Sequence, residues 1–540
     1  MYPLKQDRSL LLLLLGWAAL AVAALFLRPL WPLDETRYVA VAWDMWQRGD
    51  FLVPYLNGAP YSQKPPLLFW LMQAGWALFG VNEWWPRLIA PVLGLLSIPL
   101  MTQLARRLQP DSTDLAIQAV WIYCGALLFG ALFTLLGFDG LLVCSTLIGM
   151  LGIVRAAQGE LRRGMIWLGV AIGLGVLSKG PVILLHLLPA AVFAPWWSPE
   201  VRRDKGRWYW GVLGAVGLGA VIALLWAVPA AYFGGAAYRT AIFWGQTAGR
   251  MTSSFAHRAP LWWYLPLLPV LLFPWLLWPS LWRGLFALRK AESTSVRFLL
   301  AWIVPVFIGF SLVSGKQERY LLPLLPAFAL LAAYALQRVQ HERLRRFDLL
   351  MPSLGFALLA SGWVYAFMHP QRLGAALSGA PLPIWPAVVF AAIALALLFA
   401  SGLKLALRLR LLASAVWMVI LVSYFSVVPL IAPYSDPHPV AQYLAGLQQR
   451  GNALAYWGKY HAQFDFTGRL KPVTEITSLE SLHAWLLQNP QGRIMLFEDQ
   501  ASTSASPPEF ERFFRGGYLQ VWSASTFYAA RAPGATSPAP

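Results

Sequence analysis

Between Leu33 and Pro66 the chain reads LDETRYVAVAWDMWQRGDFLVPYLNGAPYSQKPP, the first polar stretch after a long apolar run and one dense in ionisable groups. Asp34 and Glu35 are adjacent carboxylates beside Arg37, and Tyr61 and Lys64 precede the prolines at 65 and 66. Carboxylates set among cations suit transfer from a lipid-phosphate donor. The cations neutralise the departing phosphate, while an acid orients or deprotonates the acceptor. Between the two groups, Tyr38, Val39, Val41, Ala42, Met45 and Trp46 have the spacing of a helix with one apolar side, closed by Arg48-Gly49-Asp50. Such a helix is expected to lie along a membrane surface rather than cross it.

The elements that must hold this stretch are membrane spans. The 540 residues are 58% hydrophobic and 12% charged, with 28 Trp and a mean hydropathy of +0.56, which excludes a water-soluble globule with a normal polar surface. Ser9 to Leu27 is an uninterrupted apolar segment behind Lys5 and Arg8, long enough to be a retained first span with its amino terminus inside. Further runs at about 85–105, 115–133, 138–156, 165–178, 181–197, 209–231, 263–281, 297–314, 320–337, 349–368, 382–402 and 411–431 bring the expected number of spans to about thirteen. Basic residues alternate between the connecting loops. One set of loops holds 22 of them, Arg202, Arg203, Lys205 and Arg207 among them, while the opposite set holds 12 up to the last span. The richer set marks the cytoplasmic face. The net charge of +18 is therefore topology, and nucleic acid is not an expected partner. Cys124 and Cys144 both sit in apolar runs, which indicates neither a disulfide framework nor a zinc site.

Composition changes at Ala432-Pro433-Tyr434-Ser435-Asp436-Pro437. From there, strand-like runs (Ala453–Trp457, Arg493–Phe497, Tyr518–Trp522) alternate with helix-like ones (Val440–Gln449, Leu479–Gln488), which predicts a small soluble α/β domain on the outer side over 432–540. The preceding 1–431 is expected to be the membrane domain, with a catalytic first loop at 29–84 and a covering loop at 232–262.

The span order places further ionisable residues on the same outer face as Asp34, Glu35, Arg37, Tyr61 and Lys64. They are Asp139 in Gly137-Phe138-Asp139-Gly140, Lys179 in Ser178-Lys179-Gly180-Pro181, the loop from Arg250 to Tyr264, and Lys316-Gln317-Glu318-Arg319-Tyr320. Ionisable groups at span ends are costly to bury and mark function, so one amphipathic site at the outer interface is expected. No nucleotide-phosphate loop, GxSxG elbow, HExxH or Cys/His metal spacing is present. The outer face of a bacterial-type inner membrane lacks nucleotide sugars and ATP, so an enzyme there must draw on a donor already in the lipid phase.

As a set, Asp34-Glu35-Thr36-Arg37-Tyr38, Tyr61-Ser62-Gln63-Lys64-Pro65-Pro66, Ser178-Lys179-Gly180-Pro181, the run from His257 to Tyr264, and the run from Lys316 to Pro323 resemble the lipid A aminoarabinose transferase family. The likeness runs by motif order from residue 1 to about 431. It implies a polytopic α-helical GT-C glycosyltransferase fold, related to protein O-mannosyltransferases, and inverting transfer of 4-amino-4-deoxy-L-arabinose from undecaprenyl phosphate to a lipid A phosphate. That activity would confer resistance to cationic peptides and polymyxin. It further implies that Asp34 is the central acidic residue, with Glu35 and Asp139 as further catalytic candidates. Arg37, Tyr61, Lys64, Lys179 and Tyr320 would meet the donor phosphate. Tyr38, Lys316, Glu318 and Arg319 would touch substrate, and the loop around Arg250, His257 and Arg258 would cover the cavity. The expected protein is a monomer of the inner membrane with its site and carboxy-terminal domain in the periplasm. No cofactor is required, and a divalent cation is compatible but not indicated.

Plainer roles fit several of these residues. Asp34 suits the N-cap of a helix starting near Glu35, Lys64 a head-group anchor, Asp139 a turn and Lys179 a snorkelling span end. Glu318 and Arg319 suit a simple ion pair, and Trp262, Trp263 and Tyr264 an interfacial belt. His257 fits an orienting role better than a metal ligand, since no partner has ligand spacing. Two other functions share the basic outer cavity: a GT-C transferase acting on a protein or polysaccharide, and a polyprenyl-phosphate or lipid flippase. A flippase needs polar groups at mid-depth, and ionisable residues are nearly absent from the middle of the expected spans.

Overall fold

The computed structural model describes residues 8–245, 259–289, 293–339, 348–373, 382–503 and 507–531. The chain forms two compact units: Met1–Leu25 with Ser62–Met368 and Pro383–Tyr424, and Phe26–Tyr61 with His369–Leu382 and Phe425–Pro540.

Among the described residues ten helices are long and apolar enough to cross a membrane. They match ten of the thirteen runs. The other three runs are broken. Residues 115–133 divide into the helices Thr113–Cys124 and Leu127–Leu132, 181–197 into Val182–Val192 and Ala194–Trp197, and 263–281 into Tyr264–Leu271, a short turn at Trp275–Leu277 and Pro279–Leu288. Pro274 and Pro279 lie at the last break, where each removes a backbone donor. One more apolar helix, Leu67–Phe79, lies in the stretch read as loop. With 13 residues it is too short to span.

The helices Asp139–Ala157 and Leu161–Lys179 form an antiparallel hairpin in the first unit. They cross closely because Gly152 and Gly164 face one another. A methyl group on Gly152 would lie 2.6 Å from the Gly164 carbonyl oxygen, and one on Gly164 2.4 Å from that of Gly152. Small residues at the crossing let the backbones touch, a common device in helix pairs within lipid. The hairpin brings its first residue, Asp139, beside its last, Lys179.

Elsewhere in this unit, Asp348 is buried and fully engaged. Its carboxylate accepts hydrogen bonds from Trp278 Nε1 at 2.6 Å, Ser280 Oγ at 2.6 and 2.7 Å, and Arg283 and Arg408, each at 3.1 Å. Arg408, itself 1% exposed, also donates to the carbonyls of Leu403 and Ser401. Removing one member of such a network strands a buried charge. Asp348→Ala should therefore cost about 3–5 kcal/mol, whereas replacing Asp348 and Arg408 together by Leu should cost far less. Thermal unfolding of the two proteins in detergent gives the comparison.

The second unit contains a two-stranded ribbon, β1 (Tyr55–Leu56) and β2 (Ala59–Pro60), and a five-stranded sheet. The sheet consists of β3 (Leu454–Trp457), β4 (Thr474–Ile476), β5 (Arg493–Glu498), β6 (Phe510–Phe514) and β7 (Gly517–Ser523) in the order β4-β3-β5-β7-β6. β3 runs parallel to β4 and β5, while β7 is antiparallel to β5 and β6. Helices His438–Gln449 and Leu479–Gln488 complete the expected α/β pattern. One core gathers Val440, Leu444, Met495, Leu519 and Val521, and a second gathers Ile476, Leu482, Ile494 and Trp522.

The charged helix, Asp34–Arg48, belongs to this unit. Val39, Val41 and Met45 are fully buried, and Ala40 joins the Val440 core. Protein, rather than lipid, covers its apolar side. Amphipathic spacing requires an apolar surface and does not say whether lipid or protein supplies it.

Candidate active site

Asp34 opens the charged helix as its first helical residue. The N-cap position belongs to Leu33, and no side chain caps the helix. The Asp34 carboxylate instead accepts from Arg37, one turn on, at 2.5 Å. It remains 37% exposed, while Arg37 is 15% exposed. The guanidinium of Arg37 also lies 5.7 Å from the ring centroid of Tyr38, which is buried. Glu35 is placed differently. Its carboxylate is gripped by the two terminal nitrogens of Arg28 at 2.5 and 2.9 Å and accepts the Trp31 N–H at 2.8 Å, with both side chains nearly inaccessible. That geometry suits holding the helix entry. The sequence reading took Arg28 only as the flank of the first span. Its signal was an arginine at a span end, separated from the carboxylates at 34 and 35 by a short stretch holding Pro29 and Pro32. Tyr61, also in this unit, is buried, and its N–H donates to the Pro54 carbonyl at 2.7 Å.

The C-terminal sheet seats this helix. β1 and β2 are joined by Asn57 and Gly58, both at positive φ (51° and 81°), the geometry of the tight hairpin turn that Asn-Gly favours. The Asn57 amide then makes two bonds to the backbone of one residue, Val473: Nδ2 donates to its carbonyl at 2.8 Å, and Oδ1 accepts its N–H at 2.7 Å. Trp43 packs edge-on against Phe466 and carries the Arg469 guanidinium at 4.3 Å over its ring. Asp44 accepts from Arg48 at 2.5 Å and from the Gly58 N–H at 2.9 Å.

In the first unit, Asp139, Lys179 and Tyr320 are brought together. Lys179 Nζ lies 2.5 Å from Asp139 Oδ1 and 4.8 Å from the Tyr320 ring centroid, and both charged side chains are 12% exposed. The Tyr320 ring packs tilted against Phe310, with centroids 5.6 Å apart. Lys64 Nζ lies 5.6 Å from the ring centroid of Phe138, the residue before Asp139. Lys316 is 3% exposed and donates to the carbonyls of Ala259 at 2.9 Å and Val313 at 2.7 Å, while the Tyr264 hydroxyl donates to the Gln317 carbonyl at 3.1 Å. These bonds tie the Ala259–Tyr264 segment to the turn Glu318–Leu324, which carries Glu318, Arg319 and Tyr320. Arg250, His257 and Arg258 lie outside the described residues.

The described residues thus form a set of long apolar helices with a carboxylate–cation pair at helix ends, and a separate α/β sheet unit. The fold matches the crystal structure of ArnT from Cupriavidus metallidurans bound to undecaprenyl phosphate with a TM-score of 0.71, at 21% identity over 92% of this chain and 94% of that one. Residues 63–233 match the family described as dolichyl-phosphate-mannose-protein mannosyltransferase, and residues 250–380 the Alg9-like mannosyltransferase family. The chain is 32% identical over 344 residues to an undecaprenyl phosphate-alpha-4-amino-4-deoxy-L-arabinose arabinosyl transferase of Edwardsiella ictaluri, covering 61% of this chain and 60% of the relative. It is 34% identical over 373 residues to the transferase of the same name from Pseudomonas paraeruginosa, covering 66% and 64%. The matched region thus spans somewhat under two thirds of these curated relatives. The resemblance read from the motifs is found again by comparison along the chain.

Proposed function

We propose that the chain is an inverting glycosyltransferase of the inner membrane that moves 4-amino-4-deoxy-L-arabinose from undecaprenyl phosphate to a phosphate of lipid A at the periplasmic face. The observation that carries this reading is the 32–34% identity to transferases named for that donor and sugar. The site chemistry agrees with it. In the transfer, the bond between the anomeric carbon and the undecaprenyl phosphate oxygen breaks, and its electron pair leaves with the phosphate. A lipid A phosphate oxygen attacks from the opposite face. That acceptor is ionised near neutral pH, so no base is needed to create the nucleophile. Asp34 is then suited to stabilise the oxocarbenium-like centre or to hold the donor's ammonium group. Lys64, Lys179 and Arg37 are suited to the charge that grows on the departing phosphate.

In this reading 29–84 acts as the first catalytic loop, 232–262 as the cover, and 432–540 as a periplasmic domain of a monomer. A second acceptor class, a protein hydroxyl, is favoured by the match of 63–233 to a protein mannosyltransferase family. There Asp34 would have to act as a base. Mass spectrometry of lipid A from cells with and without the chain decides between them. An aminopentose added to lipid A only when the chain is present is expected, falling about a hundredfold with Lys64→Ala. Unaltered lipid A together with a new glycan on protein would transfer the function to the second acceptor.

A further inference from the structure

The loop between β3 and β4, Gly458 to Phe464, takes no part in the site described so far. It carries Lys459, which is exposed, and His461, which is half-buried. The loop is anchored from three sides. The Gly458 N–H donates to the Ile476 carbonyl at 2.7 Å, the Tyr460 N–H donates to Glu475 Oε1 at 3.0 Å, and the buried Tyr460 hydroxyl donates to Asp465 at 2.6 Å. Ala462 stands at φ 53°, a conformation that a residue with a Cβ adopts only when its surroundings impose it. Arg515 joins the cluster from the β6–β7 turn, where Arg515 and Gly516 hold φ of 55° and 88°. Its guanidinium reaches Gln463 Oε1 at 3.4 Å, and its N–H is fixed on the Tyr434 carbonyl at 2.8 Å. Arg37, the partner of Asp34, is within electrostatic reach of His461. Three cation-forming side chains from two separate elements thus gather near the Asp34–Arg37 pair. Glu475 is the acidic group among them, and one of its oxygens is spent on the loop backbone.

We infer that Lys459, His461 and Arg515 form the acceptor-side phosphate subsite, through which the carboxy-terminal domain holds the phosphomonoester of the acceptor lipid against the Asp34 end of the charged helix. This rests on the transferase reading above and adds a place for its second substrate. A dianionic phosphomonoester suits this setting: several cations on fixed backbone, partly desolvated, give charge-assisted hydrogen bonds. The ionisation of His461 agrees. Burial first, then Arg37, Lys459 and Arg515, hold its pKa below the usual imidazole value, with Glu475 opposing. It is therefore neutral near pH 7. A bound phosphate dianion would favour its protonated form, so binding should take up a proton and tighten as pH falls from 8 toward 6.

The test uses the full chain in lipid nanodiscs, the double variant Lys459→Gln/His461→Asn, and three probes: bis-phosphorylated lipid A, its dephosphorylated counterpart and undecaprenyl phosphate. The wild-type protein should bind phosphorylated lipid A about tenfold more tightly than the dephosphorylated form. The variant should lose that preference, an effect of about 1.4 kcal/mol, with undecaprenyl phosphate binding unchanged. Equal affinity of wild type and variant for phosphorylated lipid A would overturn the subsite, as would parallel loss of undecaprenyl phosphate, which would give the loop to the donor. Should the wild type discriminate and the variant fail to, while no aminopentose is transferred, the subsite stands and the aminoarabinose reading falls.

Discussion

Asp34→Asn should lower the proposed aminoarabinose transfer at least about a hundredfold, the scale on which loss of a single charge-stabilising group acts in an active site. The effect should fall on turnover and leave the fold intact. Asp34 is not the N-cap, so the change removes no cap bond. Its side chain is 37% exposed, and its ion pair with Arg37 is a local contact within a single turn, the kind that contributes under about 1 kcal/mol. An amide can still accept from Arg37 but carries no charge to set against an oxocarbenium-like centre or an ammonium group. Transfer assayed with purified protein, alongside undecaprenyl phosphate binding, separates the two effects: binding should persist while turnover collapses. Turnover comparable to wild type would remove Asp34 from the chemistry.

The second large effect is expected from the buried pair that holds the entry of the charged helix. Arg28→Ala would leave the Glu35 carboxylate buried at 3% exposure with both guanidinium bonds gone. Breaking a buried pair from one side costs about 3–5 kcal/mol, a large share of the net stability of an ordinary domain. Arg28→Lys should recover only part of this, since an ammonium cannot reproduce the two-pronged grip. The pair of changes Arg28→Met and Glu35→Met should be milder than Arg28→Ala alone, because neither charge is then stranded. Unfolding midpoints in detergent for the three proteins give the order directly. If Arg28→Ala unfolds like the wild type, Glu35 is not held as described.

Much of this architecture is written in residue order, for reasons that also mark where reading stops. Ten spans were legible because an unbroken apolar run of this length has few other fates. The three broken ones were not, and prolines could not have revealed them. Pro91, Pro99, Pro229 and Pro305 lie inside continuous helices, while Pro274 and Pro279 lie at a break. In the carboxy-terminal domain, β3, β5 and β7 announced themselves by apolar content. β4 and the charged β6, Phe-Glu-Arg-Phe-Phe, did not, because both are edge strands with few buried positions and pairing with a single neighbour decides the matter. The Asn57-Gly58 turn was present in the sequence as a strong hairpin signal and went unread.

The site divides in the same way. Asp139 and Lys179 were each singled out as a charge at a span end, but their pairing depends on a hairpin that brings residues 40 apart in sequence to 2.5 Å. Asp34, Glu35 and Arg37 were found as a group. That two of them part company, Asp34 toward Arg37 and Glu35 toward Arg28, follows from which face of the first turn is buried. Lys459 and His461 carried no motif and gain meaning only from the fold that sets them near Arg37.

The two bonds from Asn57 to Val473 join residues separated by 416 positions. At about 5–20 residues per second, synthesis separates them by on the order of tens of seconds. During that interval the helix bearing Asp34 is already made, and the strand edge that receives its hairpin does not yet exist. Closing so long a loop adds little entropy beyond that of a moderately long one, so the delay is set by translation rather than by search. These two bonds to the helix's hairpin can form only once Val473 has been made. A nascent membrane bundle therefore has its spans well before the helix bearing Asp34 is seated.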